Sequence, residues 1–135
     1  RLPEVIEWHR RGLVPLGESL CAEARCRFVL GDCLQLLQTD SGARYDAILI
    51  DIDDSPIHVL DESHAAFYAV AGLTAAKQNL RPGGVFALWT SLPAEPEVTA
   101  RLQQAFGDAW VEEVRFDNPS LEEPEVNALY FGRRG

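Results

Sequence analysis

The order of apolar and helical patterns along the 135 residues predicts an α/β fold: a doubly wound, Rossmann-like, mostly parallel sheet ending in a C-terminal antiparallel hairpin. Three observations carry this. Residues 45–50, Tyr45-Asp46-Ala47-Ile48-Leu49-Ile50, are almost continuously apolar, as a parallel strand buried on both faces reads. Helical spacings alternate with strand-like runs as far as residue 106. Two further apolar runs, 110–116 and 127–133, are joined by a polar link, 117–126, in which no helix fits. They are expected to pair antiparallel, because a parallel return needs a crossover of about a dozen residues or more.

Taken in order, residues 2–8 hold a short apolar piece, Val5-Ile6, read as a first strand ending in Glu7. Residues 27–30 read as a second strand, stopped by Gly31-Asp32. Leu34, Leu36 and Leu37 then suit a short helix over 33–38. After the strand at 45–50 comes the strongest helical pattern, residues 64–80, where Phe67, Val70, Leu73 and Leu80 share one face. Asp61, Glu62 and Ser63 supply acceptors and negative charge at its start, and Pro82-Gly83 stop it. A strand follows at 84–89, then a helix at 96–106 with Pro96 in its first turn, where a missing N–H costs nothing. Lys77, the only lysine, is expected to be solvated.

Composition narrows the function. Twenty-one acids against 12 bases leave a net charge of −9, which argues against nucleic acid or an anionic membrane as the main partner. No apolar run approaches the ~20 residues of a membrane span. Cys21, Cys26 and Cys33 are odd in number and match neither a zinc knuckle nor a redox pair, so they read as reduced thiols of a cytoplasmic protein. The chain opens on Arg1 and contains no methionine, so the expectation is one N-terminally incomplete domain over 1–135.

Ligands of doubly wound sheets bind beyond the carboxyl ends of the strands. Three expected strand ends carry acids: Glu7; then Gly31-Asp32-Cys33; then Asp51, Asp53 and Asp54. A carboxylate after the first strand suits ribose hydroxyls, and a Gly-Asp turn after the second suits an adenine edge, although Asp32 equally suits the N-cap of the 33–38 helix. The three acids within residues 51–54 repel one another and call for a cation, either an amine or a metal; a carboxylate there also suits a general base. His58 lies close enough in sequence to contact a substrate or shuttle a proton, but with Asp51 and Asp54 it matches no strong metal motif. A phospho-acceptor receiver domain is disfavoured, because Trp89-Thr90-Ser91 offers no lysine after the last parallel strand.

These residues resemble the class I S-adenosylmethionine (SAM)-dependent methyltransferases, and within them the spermidine-synthase-like branch. The similar pieces are Val5-Ile6-Glu7, Gly31-Asp32, residues 45–51, Phe67-Tyr68, Leu80-Arg81-Pro82-Gly83-Gly84 and the final hairpin. Asp51-x-x-Asp54 followed by Phe67-Tyr68 is the part specific to that branch. The resemblance implies SAM, or its decarboxylated form, as cofactor. It implies Glu7 on the ribose, Gly31, Asp32 and Cys33 around the adenine, Asp51 at the cofactor's amine end and as base, and Asp53, Asp54 and His58 around a small cationic amine. It implies transfer of a methyl or aminopropyl group, a polyamine-like substrate and a homodimer. The chain differs in starting after the family's first strand and glycine-rich loop, in Asp54-Ser55-Pro56 where Asp-Pro is usual, in Trp89-Thr90 where a glutamine is expected, and in His9 where an acid is usual. Those differences also suit a second reading, a catalytically silent member of the fold used for ligand sensing or dimerisation.

Overall fold

The structure is a computed structural model that describes residues 2–40, 42, 44–120 and 124–135. It divides into two compact units, Arg1–Leu36 and Leu37–Gly135.

The first unit is helical where strands were expected. Helix α1 spans Pro3–Arg10 and takes in the whole Val5-Ile6-Glu7 piece. The reason is local. Pro3 sits in the first turn, Glu4 lies at the N-terminal end of the dipole, and His9 and Arg10 lie at the C-terminal end. Leu2, Val5 and Trp8 recur every three residues, a helical and not a strand period. Helix α2 spans Gly17–Ala22. Residues 27–30 are not in a strand either: they join no ladder among the described residues, and Val29 and Leu30 are exposed. Phe28 instead lies against His9 of α1, ring centroids 5.0 Å apart. Helix α3, Cys33–Gln38, forms as expected. Its start is fixed by Asp32, whose Oδ1 accepts the Gln35 amide at 3.0 Å.

The second unit holds the sheet. Strand β1, Tyr45–Ile50, is followed by a loop, a 3-10 turn at Glu62–His64, helix α4 at Ala65–Tyr68 and helix α5 at Val70–Gln78. Strand β2, Leu80–Thr90, helix α6, Pro96–Phe106, and strands β3, Asp108–Phe116, and β4, Glu125–Arg133, complete it. The strand order is β1-β2-β4-β3. β1 and β2 are parallel, while β4 runs antiparallel to both β2 and β3. The α/β class and the C-terminal hairpin are therefore as expected. The parallel part is one pair of strands among the described residues, because the two upstream runs form a helix and an unpaired segment.

One face of the sheet carries the core. Ile48 and Ile50 of β1, Phe86 and Leu88 of β2 and Ala128 and Tyr130 of β4 are all buried. They share a face with Phe67, Leu73, Val98, Leu102 and Phe106 from the helices, also buried. Gly132 stands opposite Phe86 in the register, and a Cβ there would lie 2.5 Å from the Phe106 ring, so α6 seats on the sheet through that gap. The other face is unlike the expectation for β1: Leu49 is 76% exposed and Tyr45 is exposed too. As the outer strand of this sheet, β1 buries only one row of side chains, so a continuous apolar run does not mean two covered faces.

The expected helix 64–80 is broken at Ala69, which is extended (φ −72°, ψ 158°) between α4 and α5. Phe67 and Tyr68, the last two residues of α4, are both fully buried, edge to face at 5.2 Å. Lys77 is not simply solvated: its Nζ donates to the Ala105 and Phe106 carbonyls at 3.3 and 3.0 Å, ending α6. The turn 81–84 lies inside β2 as a register irregularity against β1.

Candidate functional site

The carboxyl ends of the parallel strands β1 and β2 open onto residues 51–64 and 91–95, and the acid cluster lies there. The two segments are tied directly. Ser91 donates its amide to the Asp54 carbonyl at 3.0 Å, and its hydroxyl lies 3.4 Å from Asp54 Oδ1. Ser55, fully buried, accepts the Ile57 and His58 amides at 3.1 and 3.2 Å and turns the loop back.

The three acids have different environments. Asp51 and Asp54 are exposed. Asp53 is 3% exposed, its carboxylate turned inward. It accepts the Leu60 amide at 2.7 Å, His64 Nδ1 at 2.9 and 3.0 Å, and the Tyr68 hydroxyl at 2.8 Å. Burial pushes its pKa up, but the Leu60 amide, His64 and Tyr68 together outweigh that and hold it below the usual aspartate value. Asp53 thus pulls the middle of the loop, the 3-10 turn and α4 onto one carboxylate, and leaves its two neighbours facing out. The sequence offered a signal for this that spacing alone did not resolve: of three closely spaced acids, one is expected to be neutralised or paired.

The Asp61 side chain accepts the Ser63 amide at 2.9 Å and caps the turn that carries His64. The hydrogen bonds to Ser63 hold Asp61 below the usual aspartate value. His58 is exposed in the same loop. Trp89, 38% exposed at the end of β2, lies on the sheet face opposite the helices. Among the described residues no group of three or more His, Cys, Asp or Glu is placed to hold a metal ion.

The remaining expected residues belong to the first unit. Glu7 lies in α1, exposed, and does not end a strand. Gly31, Asp32 and Cys33 are exposed at the start of α3, with Asp32 engaged as its cap. A Cβ on Gly31 would meet nothing within 4 Å, so no neighbouring protein atom requires a glycine there.

No family model and no curated protein matches the chain. Among solved structures it is similar to human methyltransferase-like protein 13 in complex with SAH, with a TM-score of 0.61 and 20% sequence identity over 93% of this chain. The chain shares the α/β fold of that protein. The chain spans 58% of the length of that solved chain. Open α/β sheets generally bind ligands beyond the carboxyl ends of their parallel strands, and Asp51, Asp54 and Ser91 lie at that end of β1 and β2.

Proposed function

We propose that this chain is part of a SAM-dependent transferase that moves a methyl group to a small cationic amine, with Asp51 and Asp54 holding the amine at the carboxyl end of β1. The observation that carries the reading is the division of labour in the acid cluster. Asp53 is consumed inside the fold, whereas Asp51 and Asp54 are left exposed at the carboxyl end of β1. Two outward carboxylates on an anchored loop suit a cation. Asp51, the first residue after β1, is placed to accept a proton from the amine.

The acids of the second unit fit the cationic end of the cofactor. SAM supplies a methyl group activated by a positive sulfonium. The first unit fits less well, since Glu7 is on a helix and Asp32 caps one. Aminopropyl transfer from decarboxylated SAM, the spermidine-synthase-like alternative, would use the same two carboxylates. Methyl transfer is favoured because SAH, bound by the similar structure, is what SAM leaves after methyl transfer.

Titrating the full protein with SAH and SAM by calorimetry tests the reading. Saturable binding is expected, with SAH formed from SAM when diaminobutane is added and about tenfold or more lost from kcat/KM in Asp51→Asn or Asp54→Asn. A protein that binds neither compound at millimolar concentration is the silent member of the fold, the reading that the helical position of Glu7 favours.

A further inference from the structure

We infer that His64, held by the buried Asp53, is a second proton acceptor of this site, an inference that rests on the transferase reading above. A carboxylate only accepts hydrogen bonds, so the imidazole nitrogen 2.9–3.0 Å from both Asp53 oxygens carries the hydrogen. In the neutral ring that leaves the lone pair on Nε2. The Asp53 side chain is fully buried, whereas that of His64 is 25% exposed, so the ring bridges the interior and the surface. Nε2 has no hydrogen-bond partner among the described residues. The residue is held at two places: Asp53 accepts from the ring at Nδ1, and the Asp61 carbonyl accepts the backbone amide at 2.9 Å, closing the 3-10 turn.

This is the geometry of a carboxylate-oriented histidine base. Asp53 is the positioning residue; it sets the tautomer and stabilises the imidazolium that forms. Its neighbour in the chain, Asp54, is one of the two carboxylates that would hold the amine, so acceptor and cation site lie on one loop. An imidazole is also a stronger base than an ordinary carboxylate and better matched to neutral pH. Nε2 takes one proton from the ammonium, whose freed lone pair forms the N–C bond to the methyl as the S–C electron pair stays on sulfur. The imidazolium then stays paired with Asp53 until water removes the proton.

The test uses SAM and diaminobutane with the full protein. His64→Gln should lose about 100-fold in kcat, with KM unchanged, and added imidazole should restore part of the rate. Rescue by free imidazole separates a base from a structural role. Nitrogen-15 NMR of the wild type reads the tautomer without any variant: a hydrogen on Nδ1 is expected, and one on Nε2 overturns the inference. It is also overturned if His64→Gln keeps its rate, or is not rescued, while SAH still binds and Asp54→Asn is impaired. Loss of SAH binding in the wild type removes the parent reading, and this one with it.

Discussion

Asp53 is the residue on which the loop after β1 depends. A fully buried carboxylate with three donors loses much when truncated, since the Leu60 amide and Tyr68 hydroxyl are left without an acceptor. Asp53→Ala should destabilise the protein by about 3 kcal/mol in urea unfolding. Its pH dependence has a definite sign. The folded-state pKa is depressed, so the stabilisation is complete above the unfolded value of about 3.9 and is lost as pH falls through the lower folded value. Stability of the wild type should therefore drop below about pH 4 more steeply than that of Asp53→Ala. Asp32 makes a contrasting case. If it only caps α3, Asp32→Asn keeps both stability and SAH affinity, because Asn caps as well as Asp. Asp32→Ala should cost about 1 kcal/mol, read by thermal unfolding.

At the scale of elements, several were legible because their signals are local. The span 45–50 is a strand to the residue, and 33–38 and 96–106 are helices to the residue, the last with Pro96 in its first turn. The piece at 5–6 reads as a strand because two adjacent β-branched residues stand together, but a helical period and a helix-starting proline put it in α1. Residues 27–30 carry strand-forming residues, but a strand needs a neighbour to take its backbone hydrogen bonds. The α6–β4 contact gives a direct test of packing. Gly132→Ala should cost about 1–3 kcal/mol, because its Cβ meets the Phe106 ring at 2.5 Å. Phe106→Leu in the same protein should make the double variant less destabilised than the two single costs added, measured as a coupling energy in a double-mutant cycle.

Within the second unit as a whole, stability should be graded across the sheet. β2 is paired on both sides, to β1 and to β4, and its inward row is buried under α5 and α6. Its amides should be the slowest to exchange with deuterium, and those of β1, paired on one side only among the described residues, faster. The same topology makes the proposed ligand edge. β1 and β2 are its only parallel pair among the described residues, so their shared carboxyl end gathers Asp51, Asp54 and Ser91.

By itself the sequence determined what depends on neighbours along the chain: the α/β class, the final hairpin, the start of α3 at Asp32, and a cluster of acids straight after a buried strand. Periodicity, capping and like-charge repulsion act over a few residues and can be read in order. Only the tertiary structure decided which acid of the cluster turns inward. That choice depends on Tyr68 and His64, 15 and 11 residues away, arriving on separate elements. It also decided that β1 covers one face and not two, and that the 64–80 pattern breaks at Ala69, since both follow from what packs against the chain and not from the chain's own period.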